Sequence, residues 1–299
     1  MASVYNDLDR PPLNEHNLQR ALMVPPAGPY GRDGGPEQGE LSARGVAALR
    51  VLPEADSTNA VLLGAAAAGA PHGSVVIAEA QTAGRGRQGR AWTAPPRSGL
   101  FLSILVRPTA PQAAWGWLPL LAGVATRSAL ARIGGIDVRL KWPNDLITPS
   151  DTVTGYGTGR KLGGILCEQA LGAAPAVVVG IGINVSLRAD ELPAPHATSL
   201  ALAGAKSADR DPVLRALLRE FGSWYVRWAE AGGDSESSGL ADAYRADCAT
   251  LGAHVRADLP AGGSISGTAV GIDGTGRLVI EDAGGARHPV AAGDVVHLR

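Results

Sequence analysis

The chain has 299 residues, of which 45% are hydrophobic and 18% charged, and its 27 Lys and Arg residues nearly balance its 28 Asp and Glu residues. This composition is typical of a globular protein of roughly two domains, and the near-zero net charge argues against a protein that mainly coats nucleic acid. No apolar run approaches the roughly 18 residues of a membrane span, and the acidic start of the chain is unlike a signal peptide.

The first predicted element is a short helix over residues 15–23, for which Asn14 is a suitable N-cap. A segment rich in proline, glycine and charge follows over residues 24–40, and this composition is typical of a linker. Before residue 50 the sequence contains no second helix with which a helix-turn-helix could form. We therefore predict that residues 1–44 are a short helix and a flexible leader without a DNA-binding domain.

The middle of the chain changes between helical and extended patterns without a regular order. Strands are predicted where apolar residues run together or alternate, and helices where they recur at three- and four-residue spacing. The strands lie over residues 47–52, 74–80, 99–106, 138–141, 145–148, 161–169 and 175–185, and the helices over residues 56–69, 115–133, 212–231 and 239–246. Because helices separate only some of the strands, residues 45–247 are predicted to form an α+β domain with a mixed or antiparallel sheet.

After Cys248 the pattern changes to short alternating strands, predicted over residues 254–259, 264–272, 277–281, 287–290 and 295–298. The sequence Asp273-Gly274-Thr275-Gly276 supplies the glycines of a tight hairpin turn. Residues 248–299 are therefore predicted to form a small β-barrel packed on the larger domain.

The first of three motifs that could carry chemistry is QTAGRGRQGR, over residues 81–90. Its glycines let a ligand approach the backbone, and its three arginines repel one another unless an anion lies between them. Because it follows a predicted strand, it is either a phosphate-binding loop or a solvated turn with basic side chains. It is neither a Walker A sequence nor a GxGxxG that opens a helix.

The second motif, Lys141-Trp142-Pro143-Asn144-Asp145, brings a cation, an amide and a carboxylate to one proline turn. Such a cluster could stabilise a developing anion or position a metal ion, or it could be a capped turn with a surface ion pair. Two strands that contain glycine follow, with Gly163-Gly164 and Gly180-Ile181-Gly182. Glycine inside a strand marks either a close approach to the backbone or tight packing of the sheet on a helix.

The third motif, Asp56-Ser57-Thr58-Asn59, stands at the start of a predicted helix. An N-cap is the simplest explanation of these residues. The alternative is a polar patch that recognises a ureido or amide group of a ligand.

In this order, the motifs S-T-N, Q-T-x-G-R-G-R-x-G-R, K-W-P-N-D, R-K-x-x-G-I-L-x-E and G-I-G-I-N resemble those of the biotin protein ligases. Each motif is weak alone, but five in order are highly specific, and the resemblance covers about residues 45–299. It implies the mixed-sheet catalytic domain of the biotin/lipoate ligases with a C-terminal SH3-like β-barrel. It also implies an enzyme that converts biotin and ATP to biotinyl-5'-AMP and pyrophosphate, and then transfers biotin to a lysine of a biotin carboxyl carrier domain.

The resemblance implies a role for each matched residue. Lys141, Arg85 and Arg87 would be catalytic, neutralising charge as the biotin carboxylate attacks the α-phosphate. The biotin site would consist of Ser57, Thr58, Asn59, Gln81, Arg85, Gly86, Arg87, Lys161 and Gly164. The adenylate site would consist of Gly84, Arg90, Trp92, Asn144, Gly182 and Asn184. Asp145 is the candidate ligand of a metal ion.

The implied cofactor is Mg²⁺ bound with ATP, and no tightly held prosthetic group is expected. The expected partners are biotin, ATP and the carrier domain of an acetyl-CoA, acyl-CoA or pyruvate carboxylase, with neither DNA nor a membrane. Cys167 and Cys248 stand far apart in the sequence, which argues against a disulfide framework and favours a reducing, cytoplasmic location.

Two features depart from the family pattern. Residues 147–159 are longer than the usual connection and are predicted to be a flexible excursion, and Cys167 stands before Glu168 where an aliphatic residue is more usual. Two other interpretations stay open: an enzyme that transfers lipoate or octanoate, which shares the general fold, and a nucleic-acid-binding module that uses the arginine loop and the barrel.

Overall fold

The protein contains two β-sheets and the helices that cover them, in a computed structural model that describes residues 10–23, 46–153, 156–170, 175–259, 262–291 and 293–298. The predicted linker over residues 24–40 lies outside the described residues. The helices are α1 (Glu15–Leu22), α2 (Thr58–Ala67), α3 (Leu118–Gly134), α4 (Arg210–Glu230) and α5 (Leu240–Asp247). The strands of the larger sheet are β1 (Ala48–Leu52), β2 (Ser74–Ala78), β3 (Gly99–Val106), β4 (Arg139–Lys141), β5 (Asp145–Val153), β6 (Gly157–Ala170) and β7 (Ala176–Asn184), and those of the smaller sheet are β8 (His254–Asp258), β9 (Ser264–Ile272), β10 (Leu278–Glu281), β11 (Arg287–Val290) and β12 (Asp294–His297).

The larger sheet is mixed, with the strand order β1-β2-β3-β7-β6-β5-β4. β1 pairs with β2 in parallel, and the other neighbouring strands pair antiparallel. This arrangement confirms the predicted α+β class with a mixed sheet.

Helices cover both faces of the larger sheet. α2 packs over β2, β3 and β7, while α3 lies over the sheet's other face with α4 and α5 against it. Every residue of β3 is buried, which explains why its sequence, GLFLSILV, is continuously apolar except for Gly99 and Ser103. Ser103 is buried on the α2 face, where it contacts polar side chains described below.

The smaller sheet is antiparallel, with the order β11-β10-β9-β8-β12, and it confirms the predicted C-terminal β domain. Its apolar residues, among them Val255, Ile272 and Leu278, join the same core as those of the larger sheet. At its boundary with the larger sheet, the Trp142 indole Nε1 donates to the Gly276 carbonyl at 3.1 Å. The turn that contains Lys141 therefore contacts the β9–β10 hairpin directly.

The prediction of a flexible excursion over residues 147–159 is wrong, because strands β5 and β6 extend into this segment as far as Val153 and from Gly157. Thr148 pairs with Arg160, and Thr152 pairs with Thr158 across the two strands, although proline, glycine and aspartate dilute the apolar pattern of this segment. The predicted cap of α1 is confirmed, since Asn14 accepts a hydrogen bond from the backbone N–H of Asn17. In the described part of the chain, no helix is long and apolar enough to cross a membrane.

Candidate active site

A row of residues across the larger sheet lines one side of a cavity of about 600 Å³. The strand register pairs Phe101 with Gly182, Gly182 with Gly164, Gly164 with Asp145, and Asp145 with Lys141. Residues paired across neighbouring strands point to the same side of a sheet. Antiparallel pairing thus brings four separate sequence segments to one side of the sheet.

A β-bulge directs Lys161 to the same cavity. The register of β5 and β6 shifts between Leu146 and Ile147, so that Ile147 pairs with Lys161 and Leu162 is skipped. Side chains alternate along a strand, so without this shift Lys161 and Gly164 would face opposite sides. With it, the Lys161 ammonium lies 2.6 Å from Asp145 Oδ1.

Lys141 holds a buried positive charge at the edge of this row. Its side chain is 4% exposed, and its ammonium group donates to the carbonyl of Tyr156 at 2.5 Å. The pKa of Lys141 is lowered to about 8, chiefly because the group is buried; the charge of Asp145 opposes this shift and that of Lys161 adds to it. The ammonium is therefore poised to gain from any anion that enters the cavity.

Asp145 lies between several cations and a phenol. One carboxylate oxygen pairs with Lys161, and the other accepts a hydrogen bond from the Tyr156 hydroxyl at 3.0 Å. Burial and the nearby Asp145 raise the pKa of Tyr156 well above its usual value, so its hydroxyl stays protonated and donates. Burial and Lys161 lower the pKa of His196, whose ring stacks on Tyr156.

The arginine loop folds back on itself beside this cluster. Gly86 N donates to the Arg90 carbonyl and Trp92 N donates to the Gly84 carbonyl, so the loop is a small closed turn. Arg87 donates to Asn144 Oδ1 at 3.3 Å, and burial lowers the pKa of Arg87.

The two outer arginines of the loop point to different neighbours. Arg85 lies 3.7 Å from Glu168 and is half exposed, a weak pair that an anionic ligand can replace. Arg90 pairs with Asp294 on β12, so the loop also contacts the C-terminal domain.

Trp92 lies on a surface formed by two glycines. A Cβ on Gly164 would lie 3.3 Å from the indole ring, and a Cβ on Gly182 would lie 3.0 Å from it. The buried indole Nε1 has no hydrogen-bond partner within the described part of the chain. Gly164 and Gly182 therefore allow a close approach to the backbone, which is one of the two interpretations of these glycines. Gly180 instead packs against Asn59 of α2, which is the other interpretation.

Ser57, Thr58 and Asn59 begin α2 at the end of the cavity, and all three are buried. Ser57 occupies the N-cap position, but its side chain makes no capping hydrogen bond. Thr58 N donates to Gln81 Oε1 at 2.9 Å. Asn59 Nδ2 donates to the Leu166 carbonyl and to Glu168 Oε2, and Ser103 donates to its Oδ1. These residues therefore hold α2 to the loop and to the sheet.

The structure brings together nearly all of the residues predicted for the site. The cavity is lined by Ser57, Thr58, Asn59, Gln81, Arg85, Gly86, Arg87, Arg90, Trp92, Lys141, Asn144, Asp145, Lys161, Gly164, Gly182 and Asn184. The predicted residue outside the lining is Gly84, which is buried behind the loop where a Cβ would lie 2.5 Å from the Trp92 carbonyl oxygen. The individual roles of these residues stay predictions.

Several residues that line the cavity are not among those predicted from the sequence. Tyr156 lies in the segment that is predicted to be a flexible excursion, although a single aromatic residue within TGYGTG is a usable signal. His196 and the residues of the C-terminal domain, Arg256, Asp258 and Asp294, have no local motif that could have found them. Among the described residues, no group of three or more His, Cys, Asp or Glu side chains could hold a metal ion.

The sequence is similar to those of known proteins along most of its length. The profile of the biotin/lipoate A/B protein ligase family matches residues 51–184, and that of the biotin protein ligase C-terminal domain matches residues 250–298. The biotin–[acetyl-CoA-carboxylase] ligase of Mycobacterium tuberculosis is 41% identical over 295 residues, which are 97% of each chain. The chain belongs to the biotin protein ligase family.

Two further relatives of this chain support the assignment to the family. The biotin–[acetyl-CoA-carboxylase] ligase of Paracoccus denitrificans is 32% identical, over 82% of this chain and 98% of its own. The biotin protein ligase of Aquifex aeolicus, solved in complex with biotin and ATP, superposes with a TM-score of 0.69 at 29% identity, over 85% of this chain and 99% of its own. The enzyme class predicted from the five motifs is thereby confirmed.

Proposed function

We propose that this ligase joins biotin to ATP, releases pyrophosphate, and then transfers biotin from biotinyl-5'-AMP to a lysine of a biotin carboxyl carrier domain. The observation that carries the proposal is the convergence of Arg85, Arg87, Lys141 and Lys161 on one cavity. Both reactants are anions, and their repulsion must be offset before a carboxylate oxygen can reach the α-phosphorus.

In the first step, an oxygen of the biotin carboxylate attacks the α-phosphorus, and the bond from that phosphorus to the bridging oxygen of the β-phosphate breaks. The substrate supplies its own nucleophile, so the ligase needs cations rather than a nucleophilic side chain. Lys141, Arg85 and Arg87 would offset the charge that gathers on the phosphate oxygens. The weak pairing of Arg85 leaves it available for this role.

The head group of biotin would lie between the start of α2, the loop and β6. Ser57 is suited to contact it, because its hydroxyl is not used as a helix cap. Asn59 uses both amide hydrogens within the protein, so we propose that it shapes the pocket rather than donating to biotin. The remaining biotin residues on this proposal are Thr58, Gln81, Gly86, Lys161 and Gly164.

The adenylate would lie over the glycine surface of β6 and β7. Trp92 offers its ring and an indole N–H that has no hydrogen-bond partner among the described residues. Gly182 lacks a side chain and so lets the ring lie close to the strand. Asn144, Asn184 and Arg90 complete this part of the lining, and Gly84 supports the loop from behind.

Mg²⁺ would enter with ATP rather than occupy a site made by the protein. Asp145 is the candidate ligand, and its two oxygens contact the Lys161 ammonium and the Tyr156 hydroxyl. A single carboxylate together with substrate phosphates fits the usual binding of Mg²⁺. When bound, the ion would neutralise phosphate charge alongside Lys141.

The acceptor would be the carrier domain of an acyl-CoA or pyruvate carboxylase. Its lysine amine attacks the biotinyl carbonyl, and AMP leaves.

We propose that the catalytic domain spans residues 45–247 and the C-terminal domain residues 248–299, and the match of the C-terminal profile to residues 250–298 supports this division. We also propose that the segment over residues 1–44 does not bind DNA. A reducing, cytoplasmic location is supported by the free thiols of Cys167, which is half-buried, and Cys248, which is buried.

The test is to incubate the ligase with Mg-ATP, an apo carrier domain, and either biotin, lipoate or octanoate. We expect the mass of the carrier to increase by one biotinyl group in the biotin reaction. The proposal fails if biotin is not transferred while a control ligase works, and transfer of lipoate or octanoate instead would support the competing interpretation.

Variants test the role of the cations in the same assay. Arg85→Ala and Lys141→Ala should each remove most of the adenylation while the melting temperature stays close to that of the wild type. Arg219→Ala, on the exposed face of α4, is the matched control and should retain full activity. Loss of folding in the Arg85 or Lys141 variant would mean that the residue is structural.

A further inference from the structure

Tyr156 lies between β5 and β6, in the segment over residues 147–159 that we call the extension, and it covers the ammonium group of Lys141. The Lys141 Nζ atom donates to the backbone carbonyl of Tyr156 at 2.5 Å. The same nitrogen lies 3.5 Å from the centre of the Tyr156 ring, within the range of a cation–π contact. One residue thus contacts the ammonium through both its backbone and its side chain.

The other side of Tyr156 is held by different groups. Its ring stacks on His196, with the ring centres 4.3 Å apart and the planes 16° from parallel. Its hydroxyl donates to Asp145, which in turn pairs with Lys161. Tyr156 therefore links the two lysines of the cavity through the carboxylate that lies between them.

These contacts restrict a side chain that is otherwise flexible. A lysine ammonium is a compact charge on a stem with four rotatable carbons, and it has three N–H donors. The carbonyl of Tyr156 takes one donor and the ring covers one side, so the remaining donors are available to a substrate oxygen. The ring also favours the charged form of Lys141, whose pKa burial lowers.

We propose that Tyr156 is a positioning residue for adenylate formation, whose side chain holds the Lys141 ammonium and the Asp145 carboxylate in place for the incoming reactants. This inference rests on the proposed function. It gives the extension over residues 147–159 a part in the reaction. If Tyr156 were instead a cap that must move away before ATP can bind, its replacement would raise the rate of adenylate formation rather than lower it.

The test measures pyrophosphate release from biotin and Mg-ATP, with kcat and KM determined separately. Tyr156→Leu keeps an apolar side chain at this position but removes the π face and the hydroxyl. We expect kcat to fall about tenfold, the size expected for loss of a desolvated cation–π contact, with the KM for biotin nearly unchanged. Tyr156→Phe restores the π face and should recover most of kcat, even if Tyr156→Leu also lowers the melting temperature.

A double-variant comparison separates positioning from a general structural role. If Tyr156 acts through Lys141, then Tyr156→Leu should lower the rate of a Lys141→Ala enzyme by less than about twofold. Trp224→Leu is the matched control, because it removes a cation–π contact with Arg227 on α4, 3.7 Å from guanidinium carbon to ring centre and away from the cavity. It should leave kcat unchanged.

Each outcome decides the inference. A faster enzyme, an unchanged kcat, or an equal loss in both backgrounds overturns it while wild-type activity stands. If the wild-type enzyme releases no pyrophosphate while a control ligase does, the proposed function fails, and this inference fails with it.

Discussion

At the level of single residues, burial makes the charge of Lys141 depend on pH close to the neutral range. Its ammonium lies in a cavity wall where water is scarce, and this lowers its pKa from 10.5 to about 8. The charge of Asp145 opposes this effect of burial, and the second lysine, Lys161, adds to it. The group therefore stays charged at neutral pH but loses its proton within an accessible range of pH.

This pKa predicts the pH dependence of adenylation. The rate of pyrophosphate release should fall as pH rises through about 8, because the neutral amine no longer offsets phosphate charge. In Lys141→Arg the fall should move to higher pH, since a guanidinium keeps its proton. The variant's pH–rate profile, compared with that of the wild type, checks this.

Deprotonation of Lys141 cannot cause this fall in rate by unfolding the protein. Between about pH 8 and 10.5 the unfolded chain binds more protons at Lys141 than the folded chain does, so the contribution of this group to stability rises with pH. A wild-type rate that stays constant up to pH 9.5 would contradict the assignment of Lys141.

At the scale of elements, the loop over residues 84–92 depends on the glycines beneath it. Trp92 rests on Gly164 and Gly182 of two neighbouring strands, and its backbone closes the loop through Gly84. The position of the arginines is thus tied to the absence of side chains on the sheet. Such close approach is possible because glycine has no Cβ.

Gly182→Ala should disturb the loop without unfolding the sheet. The added methyl group would lie 3.0 Å from the indole of Trp92, which must move away from the adenylate site. We expect the KM for ATP to rise roughly tenfold, in keeping with an overpacking cost of about 1–2 kcal/mol. Steady-state kinetics at saturating biotin measure the change.

Gly271→Ala is the matched control for this substitution. Gly271 lies in β9, and a Cβ there would meet no atom within 4 Å. Its KM for ATP should equal that of the wild type. If Gly182→Ala has an equally small effect, then Trp92 is not a nucleotide residue.

At the scale of the whole molecule, the C-terminal domain holds the Lys141-to-Asp145 turn in place. Trp142 N donates to Thr250 Oγ1 at 3.0 Å, and the indole of Trp142 donates to Gly276. His297 lies 3.1 Å from the Thr250 hydroxyl. Burial and, to a lesser extent, the charge of Lys141 lower the pKa of His297 to about 4, so its ring is neutral at physiological pH. The two domains therefore act as one unit at this point.

Thr250→Val should lower both stability and activity. The substitution leaves the buried backbone N–H of Trp142 without its acceptor, which costs about 1–3 kcal/mol of unfolding free energy. Because Trp142 adjoins Lys141, the rate of adenylation should fall as well. Urea denaturation and pyrophosphate release measure the two effects.

Thr268→Val is the control, since Thr268 is an exposed residue of β9. Its unfolding free energy should change by less than about 0.5 kcal/mol. Equal stability of the two variants would show that the contact between the domains does not support the turn.

The kinds of helix and strand, the class of the sheet and most of the residues that line the cavity follow from local patterns in the chain. Apolar periodicity and turn residues are local properties, so β3, α3 and the C-terminal strands were predicted close to their observed positions. The five motifs were recognised for the same reason, because each is contiguous in the chain.

The way in which these parts meet depends on contacts between residues that lie far apart in the chain. The bulge that turns Lys161 towards Asp145 depends on the pairing of β5 with β6, and the contact of Arg90 with Asp294 joins residues 204 positions apart. Tyr156 reaches Lys141 because the extension between these strands continues the sheet. Register and long-range contacts depend on the free energy of the folded chain as a whole, and no local pattern of residues specifies them.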